Sequence, residues 1–444
     1  MNTREKMLVI GAGPVGLAQA KALKDNGIPY DHVEADQRLG GNWWHGVYDS
    51  AHIISSRQTT EFADFPMPDH YPDFPSRLQM LEYLNSFADH FDLRGQIRFY
   101  VKVIQVRPVE NNLWEVSFED GSSSTYKGVL VCNGHHWDRR WPDYPGEFAG
   151  EYIHSKDYKK SEQLRDRRVL VIGGGNSACD IVSEAARVGA SADLSLRNGI
   201  WFLPKTVMGK PTVQFLKPWV PVWLERLMVR LIIRVVVGRY SDYGLPKPNH
   251  RLWEKHPTIS SEVLYYLKQG RIRPRPGVQR FDGSFVEFVD GHREEYDLVM
   301  AATGYHLSFP FLPKGLVEVK GAVPQVYGLA MLPDYRGLYL VGWMQPRYGF
   351  GPLATPAADL MAKVVKLQDE IDYPVGHLLR RLGKRIPDAH LFGPHQFLRE
   401  VWLGAKTLWL IRLASKVIRD PVRPNVLLEP ALETGLGTAP LRVY

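Results

Sequence analysis

With 444 residues, 44% of them hydrophobic, the chain is long enough for two domains, each with its own core. Its formal net charge of +7 is modest and its lysines and arginines are spread along the whole length, which argues against a nucleic-acid-binding protein. The two cysteines, Cys132 and Cys179, lie far apart in apolar segments, which excludes a disulfide framework and a CxxC redox pair; with the N-terminus running straight into a strand, the expected location is cytoplasmic.

The first predicted element is a strand from Met7 to Ile10, and Gly11, Gly13 and Gly16 follow it as GxGxxG. In that pattern the first glycine turns the chain, the second lets backbone approach a pyrophosphate, and the third lets helix pack on strand. Pro14 and Val15 open a predicted helix whose free N–H groups and dipole favour a phosphate. Glu34 closes the next strand, where a ribose hydroxyl needs an acceptor. Arg38, Gly41 and Trp43 fall in or beside the glycine turn that comes next and are assigned to the same dinucleotide. From Ile53 to Tyr71 the chain is rich in Pro, Asp and Ser, which predicts a functional loop. A helical pattern resumes over 78–91, and alternating apolar residues in IRFYVKVIQV and LWEVSF predict a small β-meander before the strand GVLVCNG.

At Arg167 the opening pattern returns, with Gly173 and Gly175, Asn176 and Ser177 at the helix start, and Ala178 in the third place. Ser195 and Arg197 end the following strand, so an arginine stands where the first unit has Glu34. A guanidinium suits a 2′-phosphate that a carboxylate repels, which predicts NADPH over NADH. A second meander then leads to a strand ending at Thr303, Gly304 and Tyr305, also assigned to NADPH. Two units of opposite charge preference imply two dinucleotides, and FAD with NADPH is the natural pair because a flavin must be reduced. The expected fold class is α/β with two dinucleotide-binding, Rossmann-like domains. An FAD domain over 1–155 and 296–444, including a C-terminal helical tail, receives the NADPH domain, 156–295, as an insertion.

Within the second unit, about 201–270 is an insertion carrying WVPVWLERLMVRLIIRVVVG. Glu225, Arg226, Arg230 and Arg234 rule out a simple membrane span, since central charges cost ~2.5–3.5 kcal/mol each. The three arginines make one basic stripe, suited to a helix lying on a membrane surface; a helix packed over the substrate entrance is the alternative. Near the C-terminus, Arg412, Lys416 and Arg419 fall on one side of a predicted helix and Trp402, Leu413 and Val417 on another, which also keeps peripheral membrane contact open. A homodimer is compatible with the same composition. Between these segments a strand ends at Gly342, Gln345 follows, and Thr355 and Pro356 are read as N-cap and first residue of a helix whose positive end would serve a reduced flavin.

The assembled motifs resemble those of the flavin-containing monooxygenases, in particular the shorter bacterial members, over most of the chain to about residue 370. The resemblance rests on GAGPVG, Glu34, GGNW, FADFPMP, the FxGxxxH segment from Phe148 to His154 with Tyr158, GGGNSACD, Ser195-Leu196-Arg197 and Ala302-Thr303-Gly304-Tyr305. It implies that NADPH reduces FAD, that the reduced flavin captures O₂ as a C4a-hydroperoxide, and that one oxygen passes to a small soft nucleophile, a sulfide or amine. Baeyer–Villiger oxygenation of a ketone and uncoupled NADPH oxidation are the alternatives. On this resemblance His154 is a structural link between domains. It also exposes one departure: many members carry an asparagine before the FxDFP segment, and Ile54 stands there. Ser55, Ser56 or Gln58 is expected to substitute.

Overall fold

The computed structural model describes residues 2–216, 220–347 and 349–421. Trp219, at the head of the apolar insertion, and the expected first domain beyond 421 lie outside the described residues. The first sheet has five parallel strands in the order Leu338–Leu340, Gly128–Val131, Met7–Ile10, Tyr30–Val33 and Ile97–Arg98. Met7–Ile10 is central and buried along its whole length, as an apolar run covered on both faces requires. One face carries α1 (Pro14–Asp25), and the other carries the predicted meander, Val103–Val109, Leu113–Phe118 and Ser123–Tyr126. The loop from Ile53 to Tyr71 contains one short helix, α2 (Arg57–Thr60), before α3 (Arg77–His90), which starts on a Ser76/Gln79 capping box.

The second sheet repeats this plan, with parallel strands in the order Ile272–Arg275, Ser191–Ser195, Arg168–Ile172, Leu298–Ala301 and Glu151–His154. α4 (Asn176–Val188) covers one face and a second three-stranded meander, 278–295, the other. The boundaries expected at 155/156 and 295/296 do not follow the sheets. Glu151–His154 and Leu298–Ala301 pair with each other inside the second sheet, so the chain leaves the first unit before 151 and returns after 301. The two crossing segments touch, Asp138–Arg139 pairing antiparallel with Tyr305–His306.

In the insertion, α5 (Val222–Ile232) runs on as a wider turn over Ile233–Val237. Only the row Glu225, Val229, Ile233 and Val237, spaced by four, is buried, so the helix touches the protein along one narrow stripe. The expected basic stripe is interrupted, because half-buried Arg226 donates through Nε to the Leu252 carbonyl at 3.1 Å. α6 (Glu262–Lys268) then packs beside α4.

α7 (Gly351–Glu370) returns to the first sheet and lies against α1. It starts five residues earlier than expected, at Gly351 and not at Pro356. Phe350 is its N-cap, Pro352 takes the first-turn position, and Pro356 sits inside the helix. The start is fixed by close packing: a Cβ on Gly351 would lie 2.1 Å from the carbonyl oxygens of Thr60 and Glu61. Thr355 instead donates its hydroxyl to Asp64 at 3.0 Å. α8 (Val375–Arg381) and α9 (Pro394–Val417) follow, and α9 packs on α7 through Val401 and Ile411.

Candidate active site

The two glycine turns face one cavity of about 1530 Å³ at the C-terminal ends of the two sheets. From the first unit it is lined by Gly11, Gly13, Pro14, Val15, Glu34, Arg38, Gly41, Trp43, Gly342 and Gln345. From the second it is lined by Gly173, Gly175, Asn176, Ser177, Ser195, Arg197, Thr303, Gly304 and Tyr305. Gly16 is not on the wall; a Cβ there would lie 1.8 Å from the Gly11 carbonyl oxygen, so its absence lets α1 meet the strand. Gly13 and Gly175 differ from it. A Cβ on Gly13 would meet only the Gly41 Cα, at 3.8 Å, and one on Gly175 would meet nothing within 4 Å. Both therefore hold open the space that a pyrophosphate needs above a helix N-terminus.

Glu34 is held rigidly: its Oε2 accepts from the Ala12 N–H at 2.6 Å and its Oε1 from the Asp36 N–H at 3.0 Å. Burial raises its pKa, and those N–H donors oppose the rise. Each oxygen keeps acceptor capacity for a hydroxyl. Arg38 lies over the Trp44 ring at 4.7 Å. In the second unit Asn176 Oδ1 accepts from the Ile259 N–H at 2.9 Å, and Ser195 donates to the Pro276 carbonyl at 2.7 Å. Arg197 is exposed at the cavity rim, with no carboxylate paired to it among the described residues.

The three residues expected to replace the missing asparagine separate. Ser55 lines the cavity beside Ile54, and its hydroxyl shares a 2.6 Å hydrogen bond with Thr60, another wall residue. Ser56 is fully buried and spends its hydroxyl and backbone N–H on Thr59, capping α2. Gln58 is off the cavity wall and accepts from Gln214 of the insertion. Short helix α2 turns these two side chains away, which the loop composition did not reveal.

His154 is buried and satisfied: its Nδ1 accepts from the Lys156 N–H at 3.1 Å, so its Nε2–H donates to the Gly304 carbonyl at 3.1 Å. Both partners belong to the second unit, so it ties two neighbouring strand ends and not two domains. One of several links between the units runs through Lys156, whose Nζ donates to Asn42 Oδ1 at 2.9 Å and to the His136 carbonyl at 3.3 Å; Tyr48 donating to Asp180 at 2.7 Å is another. Burial, with Lys159 and Arg139 nearby, pushes the Lys156 pKa down to about 8. His135 and His136 stand beside it on the cavity wall, ring centroids 4.1 Å apart. Burial lowers both pKa values, and His256, also on the cavity wall, shifts the same way. The motifs did not mark these histidines. Their signal was position, since Gly134-His135-His136 follows a buried strand at the sheet end where α/β proteins bind ligands.

Residues 4–372 match the family described as FMO-like, flavin-binding monooxygenase-like. The chain belongs to this family. Flavin-containing monooxygenase 5 of Mus musculus is 32% identical over 475 residues, spanning 98% of this chain and 87% of the relative. Among solved structures, S-allyl-L-cysteine S-oxygenase from Allium sativum superposes with a TM-score of 0.64 at 21% identity, covering 93% of this chain and 92% of that one. OTEMO in complex with FAD and NADP gives a TM-score of 0.67 at 19% identity over 83% of this chain and 85% of that one. This flavin-binding monooxygenase is therefore an FAD-dependent oxidoreductase acting on a small molecule and O₂. The open space at Gly13 and Gly175 and the unpaired Arg197 fit the FAD and NADPH expected from the sequence.

Proposed function

We propose that this monooxygenase oxygenates a small soft nucleophile, a sulfide or amine, using NADPH and O₂. The observation that carries the reading is that two pyrophosphate-ready turns open into one cavity whose far wall, by Ile54, Met344 and Phe350, is mostly apolar. In it, Gly11, Gly13, Pro14, Val15, Glu34, Arg38, Gly41, Trp43, Gly342 and Gln345 hold FAD. Gly173, Gly175, Asn176, Ser177, Ser195, Arg197, Thr303, Gly304 and Tyr305 hold NADPH. FAD held there would supply the oxygen chemistry, with NADPH as its source of hydride. The protein's own part is position and dryness. Glu34 and Arg197 sort the two dinucleotides by charge, and Ile54 contributes no hydrogen bond beside the substrate. Ser55 and Thr60 supply the nearest hydroxyls, and His135 and His136 stay neutral at pH 7, able to accept or pass a proton. The test is stoichiometry with methyl p-tolyl sulfide. Equal NADPH consumed and sulfoxide formed is expected; NADPH oxidised with only H₂O₂ released overturns the reading.

A cytoplasmic enzyme with peripheral membrane contact is the second part of the reading. Trp223, Leu227, Leu231 and Val235 on the insertion helix are 59–75% exposed, and Trp402, Trp409, Leu413 and Val417 on α9 are 51–67% exposed. Arg230, Arg234 and Lys416 lie among them, a combination that favours an anionic lipid surface. Among the described residues no helix is long and apolar enough to cross a membrane. Co-sedimentation with vesicles containing phosphatidylserine, lost on Trp223→Ser with Trp409→Ser, is the expected result; equal binding by the variant removes this part.

A further inference from the structure

Arg347 follows the cavity-lining strand Gln345–Pro346 and lies on the same wall, only 9% of its side chain exposed. It is poorly used. Among the described residues its one ionic contact is a long one, 3.4 Å from Nη1 to Oε1 of Glu225, which is 1% exposed, and its Nε–H has no hydrogen-bond partner. Three further buried polar atoms around it are also without partners among the described residues: Glu225 Oε2, Nε1–H of Trp253, whose ring lies 5.4 Å under the guanidinium, and Nδ1 of His395. They come from α5, the insertion, and the start of α9. A buried polar group left without a partner is costly, so this cluster does not serve stability.

A guanidinium offers five donors in a planar fork matched to a carboxylate. Most of that capacity is idle here, on a cavity wall to which Ile54, Met344, Pro346 and Phe350 contribute apolar surface. We propose that Arg347 is the specificity residue for substrates carrying a carboxylate, which it binds from the cavity wall with the buried Trp253 ring behind it, while the apolar body of the soft nucleophile lies along Ile54 and Phe350. Glu225 is the resident counter-ion that the substrate carboxylate displaces. Burial raises its pKa, so it can take up a proton when the second carboxylate arrives. The inference rests on the monooxygenase reading above and narrows its substrate class.

The test compares 4-(methylthio)benzoate with methyl p-tolyl sulfide, two thioethers of similar body, in FAD-loaded enzyme with NADPH and O₂. The expected acid-to-neutral ratio of kcat/KM is about tenfold or more, the range of one charge-assisted hydrogen-bonded pair. Arg347→Gln should collapse that ratio, Arg347→Lys should restore part of it, and Glu225→Gln should raise it. A merely structural role would lower both substrates alike in every variant. A wild-type ratio of one or less, or a ratio unmoved by Arg347→Gln and Glu225→Gln, overturns the proposal. If Arg347→Gln does not fold, Glu225→Gln decides it alone. Calorimetric titration of 4-(methylthio)benzoate separates the two readings. Arg347-dependent binding with no sulfoxide sinks the oxygenation and spares the carboxylate site; sulfoxide formed from both thioethers without discrimination does the reverse.

Discussion

The two glycine turns share one backbone plan and differ at the atoms that choose a ligand. In each, the first glycine has a positive φ, +98° at Gly11 and +123° at Gly173, and the second opens on the cavity. They part company at the third position. Gly16 would drive a Cβ to 1.8 Å from the Gly11 carbonyl oxygen, whereas the second unit tolerates Ala178, fully buried, at the same place. They diverge again past the second strand, where Glu34 is pinned by two backbone N–H groups and Arg197 is left free at the rim. On the function proposed above, the common features make a dinucleotide site and the divergent ones assign its occupant.

Filling the open position of either turn is the strongest way to break this comparison. Gly13→Val places a side chain where the Cβ has room in the protein alone, and Gly13 already has the extended backbone, φ −75° and ψ −178°, that valine accepts. The expected product is a folded, colourless protein. Gly175→Val, by the same logic in the second turn, should give yellow protein that NADPH no longer bleaches. Visible absorbance before and after NADPH checks both, and FAD retained at full stoichiometry by Gly13→Val would show that the turns have been assigned wrongly.

The third position separates the units by stability. Gly16→Ala overpacks the contact between α1 and its strand and should cost about 2–3 kcal/mol in urea unfolding. Ala178→Gly removes a methyl that the second turn accommodates, and should cost about 1 kcal/mol. Similar losses in both would mean that the turns are packed alike.

Much of this contrast was legible in the sequence because it is local. Glycine spacing, the strand before it and the charge after it are set by backbone sterics within about thirty residues, so both turns, both meanders and α3 lie where the pattern placed them. What was not legible depends on distant chain. The start of α7 is fixed by Thr60 and Glu61, almost three hundred residues away, so the Thr355-Pro356 signal, locally reasonable, lost to packing. The fate of Ser56 and Gln58 turns on a four-residue helix and on Gln214 of the insertion. Glu151–His154 and Leu298–Ala301 were both assigned to the wrong unit because a strand's sheet is chosen by its partners, here Arg168–Ile172 beside Leu298–Ala301, and not by its own sequence. Arg347 carried no motif at all; only the meeting of four segments gives it a context.

The charge difference predicts a smaller effect. Arg197→Ala should raise the Michaelis constant for NADPH about tenfold and leave that for NADH within about twofold, as loss of one charge-assisted phosphate contact requires. Steady-state flavin reduction with each nucleotide checks it, and an unchanged NADPH/NADH ratio would return Arg197 to the solvated surface.

The smallest effect concerns the lysine that joins the units. Lys156 bonds Asn42 of the first and lies next to Ser155 of the second, and burial brings its pKa down from 10.5 to about 8. Between pH 8 and 10.5 the unfolded chain therefore holds this proton more often than the folded one, and stability from this group rises with pH across that window. Below pH 8 the folded protein carries the buried charge and its cost. Lys156→Met removes both states, so in cofactor-free protein its urea midpoint relative to the wild type should be highest at pH 7 and fall as the pH rises toward 10, on top of a pH-independent loss of the hydrogen bonds to Asn42 and His136. Binding FAD or NADPH brings anionic phosphates into the same cavity, which favours the charged lysine and should move the window upward. A wild-type and variant difference that is flat with pH would mean that Lys156 keeps an ordinary pKa, and the joint between the two units would then rest on hydrogen bonds alone.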